Sequence, residues 1–418
     1  MQQQSLFEPI LQAYADNSGA MKNDQLYKTL AKQKGVKLDD CVEVIGTKNP
    51  KPYNTFARSA RWAQQSLRSK GMIERVGHGQ WTLTKEGKHH LARINTDRYL
   101  VAANTELGLL VWGNSANVFD KVITEDVHLV LTSPPYLGIQ RSYGTFNEEQ
   151  AYSDMIISVL EPLRKRMVPG ANLVLNLSND SVLKRRFGER SLYLEELTIR
   201  IARELELHLM DRMIWDKMNP APGPTQYVSK QRTHLNSKYE PILVFNTEPQ
   251  FNLADNRRVL QPYSENMKKL INQGGESRTR HLADSSHRVK KGSFAKDNGG
   301  SVLGNVLRIS TTCGNKRKLA RQVKAMGLPP HSATFPVKLA DTLIRYFCPE
   351  GGRVVDPFGG WSTVGYAAEL AGREWITCDM NWEYVRSALE RFKEQYGLQI
   401  NPEFLKLEDE ELRFHLAA

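Results

Sequence analysis

From about residue 105 onward, short apolar runs alternate with helical stretches, and this rhythm constrains the fold more than any other feature. Val127-His128-Leu129-Val130-Leu131 has the texture of a buried strand. Helical spacing follows over 155–163, and the Pro169-Gly170 turn ends that unit. Residues 172–177 predict the next strand, 193–206 a helix, 208–215 a strand and 242–245 another. The rhythm breaks over 250–325, which holds Gly274-Gly275, Gly299-Gly300 and many Asn and Ser. A stretch of that length is either a functional insertion or disorder. Alternation resumes with a helix over 335–347, a strand at 353–355, a helix at 365–370, a strand at 374–378 and a helix at 382–392. Strand–helix alternation of this kind predicts an α/β fold with helices on both faces of one sheet.

Composition narrows the class. The chain has 418 residues, 40% of them hydrophobic and 25% charged, which suits two or three globular domains. No apolar run reaches the roughly 18 residues of a membrane span, and the first thirty residues hold no apolar signal core. Cys41, Cys313, Cys348 and Cys378 are scattered with no CxxC pair. That disfavours a zinc ribbon and a disulfide framework, and it fits a reducing cytoplasm. The net charge of +11 is unevenly spread. Residues 250–325 hold 16 Lys/Arg against 5 Asp/Glu, and residues 1–100 hold 16 against 9. The remainder is net acidic. Clustered cations suit a polyanion, because binding releases condensed counterions. Two merely solvated basic faces are the alternative.

Residues 1–100 predict three helices and a hairpin. Leu6, Ile10, Leu11 and Tyr14 recur at helical spacing, as do Leu26, Leu30 and Ala31. A third amphipathic stretch over 55–70 carries Arg58, Arg61, Trp62, Leu67 and Arg68. Two alternating runs flank Gly77-His78-Gly79 and end in Trp81-Thr82-Leu83-Thr84. That order is a winged helix-turn-helix. The pattern Trp62…Leu67…Gly71…Trp81…Leu83-Thr84…Gly87 resembles the N-terminal domain of Mrr-type restriction enzymes. The resemblance implies that helix 55–70, with Arg58, Arg61 and Arg68, faces a DNA groove. A helical module for protein contacts is the other possibility.

Two constellations carry chemistry. Thr132-Ser133-Pro134-Pro135-Tyr136 follows the strand at 127–131, and ligands of open α/β sheets sit at the carboxyl ends of strands. Two prolines stiffen the loop and leave carbonyl acceptors. Ser133 adds a hydroxyl, and Tyr136 a flat aromatic face. Such a loop can hold a planar base by stacking and its exocyclic amine by two acceptors. Accepting both hydrogens favours a pyramidal nitrogen with a usable lone pair. A rigid turn with a packing tyrosine is the plainer alternative. The second constellation is Val354-Val355-Asp356-Pro357-Phe358-Gly359-Gly360-Trp361-Ser362-Thr363, a strand, a small-residue turn and a helix start. Asp379 ends a strand 23 positions after Asp356, where an acid commonly meets a ribose.

Together these segments resemble the S-adenosylmethionine-dependent amino-methyltransferases that act on DNA. Thr132–Tyr136 matches the serine form of that family's catalytic motif, and 356–363 is similar to its Asp-Pro-Phe-x-Gly-x-Gly-Thr cofactor motif. His331-Ser332-Ala333-Thr334-Phe335-Pro336 resembles the cofactor-lining His-Pro-Ala-x-Phe-Pro pattern. Ile214-Trp215-Asp216-Lys217 and Tyr239-Glu240-Pro241-Ile242-Leu243 look like further family segments. The catalytic motif precedes the cofactor motif with the basic stretch between them, which is the β-class order. Departures are Ser332 for Pro, Ser362 for the last Gly, and the bulky Trp361.

The resemblance implies a Rossmann-like methyltransferase sheet. It divides the chain into a winged-helix domain (1–100), a catalytic half (105–247), a target-recognition insertion (248–325) and a cofactor-binding half with a tail (326–418). Catalysis falls to Ser133, Pro134, Pro135 and Tyr136. S-adenosylmethionine falls to His331, Ser332, Thr334, Phe335, Pro336, Asp356, Pro357, Phe358, Gly360, Ser362 and Thr363, with Asp379 on the ribose. Duplex DNA falls to Arg58, Arg61 and Arg68 together with Lys268, Lys269, Arg278, Arg280, Arg288, Lys290 and Lys291. No metal is expected. The serine form goes mainly with the N4 amine of cytosine, and the N6 amine of adenine is the alternative. A non-catalytic DNA-binding regulator and an RNA methyltransferase are the rivals. A site-specific methylase working beside a restriction endonuclease, or alone, fits the set, with a monomer slightly favoured.

Overall fold

The computed structural model describes residues 6–17, 20–45, 51–94, 99–138, 148–179, 188–218, 220, 223–281, 288–329, 331, 334, 336–395 and 397–407. The N-terminal part runs α1 (Phe7–Ala15), β1 (Ala20–Lys22), α2 (Asn23–Gln33), β2 (Val42–Ile45), β3 (Lys51–Asn54), α3 (Thr55–Ser69), β4 (Ile73–Gly77), β5 (Gln80–Leu83) and α4 (Lys85–Ile94). The three helices and the wing hairpin stand as expected, and β1 joins the hairpin in the order β1-β5-β4. The β2–β3 ribbon before α3 was not expected. Its two short strands carry no apolar alternation strong enough to announce it. Asn54 caps α3 by accepting from Ala57 N at 2.8 Å. Leu6, Ile10, Tyr14, Leu26, Leu30, Ala60, Leu67, Ile73 and Leu83 close into a core of their own. Inside it, Gln64 donates to Tyr14 Oη at 2.7 Å and to Asn23 Oδ1 at 2.9 Å, which ties three helices together.

The remainder begins with β6 (Leu100–Asn104), β7 (Gly108–Trp112), α5 (Ser115–Val122), β8 (Val127–Thr132), α6 (Glu149–Arg164), β9 (Met167–Asn176), α7 (Tyr193–Glu204), β10 (His208–Asp216) and β11 (Tyr239–Asn246). It continues through α8 (Glu265–Asn272), β12 (Arg280–His281), β13 (Arg288–Val289), β14 (Val306–Arg308) and α9 (Gly314–Ala325). It ends with α10 (Val337–Phe347), β15 (Arg353–Asp356), α11 (Thr363–Leu370), β16 (Glu374–Asp379), α12 (Trp382–Phe392), β17 (Gln399–Ile400) and α13 (Pro402–Lys406). Ten strands form one sheet in the order β14-β10-β11-β9-β8-β15-β16-β7-β6-β17. The run from β9 to β7 is parallel, and antiparallel pairs flank it on both sides.

Side chains alternate faces along each central strand, which is why the strands read as continuous apolar runs. Leu129, Leu131, Val354 and Trp375 pack on one face with α10, α11 and α12. Val130, Leu173, Leu175, Val355 and Ile376 pack on the other with α5, α6 and α7. Pro169-Gly170 lies within β9 rather than ending a unit. Gly170 takes φ +79, and the pairing with β8 slips between Met167 and Asn172, so the turn is absorbed as a bulge. The basic stretch 250–325 is ordered where it is described. Its β14 pairs in parallel with β10, and α9 packs on α12 through Leu319, Val323, Trp361 and Tyr384.

Chain order places the site. From β8 the chain moves to β9 on one side, and from β15 to β16 on the other. The boundary between β8 and β15 is therefore the point where the strand order reverses, and ligands of such sheets bind there.

Candidate active site

The two chemical segments meet at that boundary. Val354 pairs with Leu129 and Val355 with Val130, which brings the carboxyl ends of β8 and β15 together. Thr132 Oγ1 donates to Asp356 Oδ1 at 2.6 Å, and both residues are buried. Phe358 N donates to the same oxygen at 3.0 Å. Desolvation pushes the Asp356 carboxyl up to about 7, although the Thr132 and Phe358 donors pull the other way. The hydrogen bond joins the last residues of β8 and β15, 224 positions apart in the chain.

In the first loop Pro134 is buried, while Ser133, Pro135 and Tyr136 are partly exposed. The Tyr136 phenol takes part in more than stacking. It donates to Glu240 Oε2 at 2.8 Å and stands 3.3 Å from Ser133 Oγ. Asn176 Nδ2, at the end of β9, donates to the same Glu240 oxygen at 2.6 Å and to Tyr136 Oη at 3.2 Å. Lys217 Nζ, just past β10, reaches Glu240 Oε1 at 3.2 Å. Burial pushes the Tyr136 phenol well above its ordinary range, and the nearby Glu240 carboxylate adds to the push. The phenol is therefore neutral at neutral pH.

The second loop is a tight cradle. Gly359 N donates to Cys378 O at 2.8 Å, Gly360 N to Asp379 Oδ2 at 2.7 Å and Asn381 N to Asp379 Oδ1 at 2.8 Å. Asp379 thus clamps the glycine turn after β15 as well as its own turn. Each oxygen keeps a lone pair for a ligand hydroxyl. Desolvation pushes its carboxyl up to about 6. Ser115 Oγ donates to Pro357 O at 2.5 Å and anchors the turn from the α5 side. Gly360 takes φ +51, and a Cβ there would stand 2.8 Å from His331 Nε2. The His331 ring is held against Tyr384 at 4.3 Å, so it closes over the glycine turn.

Ser362 also adopts a left-handed conformation, φ 48, where the family's glycine would be unstrained. Its hydroxyl compensates by pairing with Thr377 Oγ1 at 2.8 Å. Trp361 is buried against α9 and α12 with Leu319, Val323 and Tyr384. Thr363 Oγ1 accepts from Arg391 Nη2 at 3.1 Å. Pro336 precedes α10 as its cap residue. Ser332 and Phe335 lie outside the described residues. Thr334 Oγ1 and Asn381 Nδ2 are buried without a partner. The glycine cradle, the carboxylate with spare acceptor capacity and these two orphaned polar atoms suit S-adenosylmethionine.

All of Arg58, Arg61, Arg68, Lys268, Lys269, Arg278, Arg280, Arg288, Lys290 and Lys291 are exposed. Arg58 lies over the Tyr53 and Trp62 rings, Arg61 over Tyr27 and Arg68 over Trp81. Lys268 pairs with Glu265, and Arg280 with Glu276. The β12–β13 hairpin presents Arg280 and Arg288 on opposite strands. Among the described residues no group of three or more His, Cys, Asp or Glu could hold a metal ion. No described helix is long and apolar enough to cross a membrane.

The Thr132 contact, Asn176, Ser115 and the roles of Glu240 and Lys217 are not among the residues the sequence points to. A signal was present for two of them. Glu240 is a carboxylate and Asn176 an amide inside otherwise apolar strand runs, and buried polar groups in strands need partners.

A family model described as DNA methylase matches residues 127–390, and the Mrr N-terminal domain matches residues 4–93. The type II methyltransferase M.PvuII of Proteus hauseri is 32% identical over 292 residues, which span 70% of this chain and 85% of that protein. The type II methyltransferase M.HpaI of Haemophilus parainfluenzae is 21% identical over 296 residues, or 69% of this chain and 75% of that one. Among solved structures, a PvuII DNA methyltransferase (cytosine-N4-specific) shares the fold with a TM-score of 0.54 at 24% identity, covering 75% of this chain and 95% of that chain. The order of motifs, the shared cleft and these matches converge: the chain belongs to the DNA methylase family and carries an Mrr N-terminal domain ahead of its methylase.

Proposed function

We propose that this chain methylates the N4 amine of cytosine at specific sites in duplex DNA. The observation that carries it is the 2.6 Å bond from Thr132 to Asp356, which sets the Ser133-Pro134-Pro135-Tyr136 loop against the cofactor cradle. The serine at 133 and the likeness to M.PvuII support cytosine over adenine.

The target base leaves the stack to reach the cleft, since its amine is otherwise inaccessible. Tyr136 stacks on it. Ser133 Oγ and the Pro134 carbonyl accept the amine hydrogens. Asp356, Pro357, Phe358, Gly360, Ser362 and Thr363 form the cofactor cradle with the 331–336 segment, and Asp379 takes the ribose hydroxyls. S-adenosylmethionine supplies an electrophilic sulfonium methyl, transferred to nitrogen without a covalent enzyme intermediate. Positioning and exclusion of water supply most of the rate. The basic surfaces at 58–68 and 268–291 face the duplex, with 248–325 as the target-recognition segment. M.PvuII and M.HpaI are type II methyltransferases, and a cognate restriction endonuclease is the corresponding partner.

The test is to methylate DNA with the purified chain, digest it to nucleosides and identify the product by mass spectrometry. N4-methylcytosine is expected. N6-methyladenine would move the assignment to adenine, and no methylated nucleoside would overturn the enzyme itself.

A further inference from the structure

We propose that Glu240 is the positioning residue that makes Ser133 a hydrogen-bond acceptor toward the target amine and that takes the proton released by transfer. The inference rests on the methyltransferase function proposed above and names a group that function leaves open, the final proton acceptor.

The argument is one of hydrogen accounting. A carboxylate only accepts. Tyr136 has a single hydroxyl hydrogen and gives it to Glu240 Oε2 at 2.8 Å. Nothing then remains for Tyr136 to give Ser133, so across their 3.3 Å contact Ser133 is the donor. Asn176 enforces the same polarity. Its amide hydrogens go to Glu240 Oε2 at 2.6 Å and Tyr136 Oη at 3.2 Å, with Ser133 Oγ farther off at 3.5 Å, so the phenol oxygen accepts twice. Ser133 has spent its hydrogen on Tyr136, accepts a long 3.5 Å contact from Asn176 Nδ2, and keeps its other lone pair for the cleft. That is the state a base amine needs, because the amine can only be held by acceptors while its own lone pair stays free.

The same chain of bonds carries a proton out. After transfer the amine nitrogen has gained a methyl and bears one proton too many. That proton passes to Ser133 Oγ, the serine hydrogen to Tyr136 Oη, and the tyrosine hydrogen to the Glu240 carboxylate, which becomes a carboxylic acid and returns the proton to water. No oxidant or further reactant is required. Among the described residues, the charged and titratable groups in contact with Glu240 are Tyr136 from the catalytic loop and Lys217 from the end of β10. Lys217, at 3.2 Å, holds the second carboxylate oxygen.

The experiment compares the full-length wild type with Glu240→Gln and Glu240→Asp. Gln can donate to Tyr136, which frees the phenol to donate to Ser133 and reverses the polarity. Expected for Glu240→Gln is a fall in kcat of roughly 100-fold, with cofactor affinity and circular dichroism unchanged. Its kcat should also lack the acid-side decline expected of the wild type if a carboxylate takes the proton, and Glu240→Asp should recover part of the rate. Wild-type kcat in Glu240→Gln, or a slow enzyme that keeps the wild-type acid limb, would overturn the proposal. A readout independent of turnover is the Cζ resonance of Tyr136 in protein labelled at tyrosine and assigned with Tyr136→Phe. Removing the carboxylate should lower the pH at which that phenol titrates, and an unchanged titration also overturns the proposal. An inactive wild type with a shifted titration would sink the enzymatic function alone.

Discussion

At the residue scale, the site consists of polar atoms made costly by burial and then paired. Ser133 is expected to carry turnover and little binding, because its oxygen bonds toward Tyr136 and Asn176 rather than into the cofactor cradle. Ser133→Ala should cut methyl transfer to DNA by about 100-fold or more, while calorimetry finds cofactor affinity within about twofold of wild type. Turnover at the wild-type rate would remove this loop from the chemistry. Asp356 makes a prediction of the opposite kind. Its folded carboxyl sits at about 7, against 3.8 in the open chain, so between those values the folded state holds a proton that the unfolded state has lost. Stability without cofactor should therefore fall as pH rises through that window, and the penalty is complete above it. In Asp356→Asn the amide oxygen still accepts from Thr132, but the group no longer titrates. Denaturant midpoints at pH 5 and pH 8 should differ less in this variant than in wild type, and an identical difference would refute the assignment.

At the element scale, the turn between β15 and α11 decides how the cofactor cradle is held. Ser362 combines a left-handed backbone with a buried hydroxyl pair to Thr377. Ser362→Ala keeps the strain and orphans Thr377, and should cost about 1–3 kcal/mol. Ser362→Gly relieves the strain as it loses the bond, and thermal unfolding should place it closer to wild type than the alanine variant. Equal losses in the two variants would show that the hydroxyl pair alone matters. These details were only partly legible in the sequence. The Asp356–Thr363 segment was recognisable from its glycines and the acid that follows at Asp379. That Asp379 clamps the glycine turn after β15, and that Ser362 stands where φ is positive, depends on how β15 and β16 lie side by side. The bulge at Pro169-Gly170 is a similar case. Pro and Gly together resemble a terminator locally, yet the sheet on both sides keeps them within β9.

At the scale of the whole molecule, charge and core are divided. The N-terminal helices and wing hold their own apolar cluster, while the large sheet is packed by two others. Exposed cations lie on α3 and along 268–291. If those faces meet the phosphate backbone, each lost contact reduces the slope of log K against log salt by about one. Arg58→Ala and the pair Lys290→Ala with Lys291→Ala should each weaken duplex binding, with slopes lower by about one and about two. Binding titrations from low to high salt would measure this. Unchanged slopes would mean that these surfaces are solvated rather than bound.

What the sequence determined alone was the class of fold and the identity of the two loops. Apolar runs of strand length separated by helical spacing admit few solutions, and a motif with its flanking elements is local information. Convergence belonged to the tertiary structure. Thr132 touches Asp356 only because β8 pairs with β15, and Glu240 reaches Tyr136 only because β11, β9 and β8 lie in that order. Hydrogen bonds act over about 3 Å, so which polar atoms share a cleft is settled by strand order and register, and neither is written into any single stretch of chain.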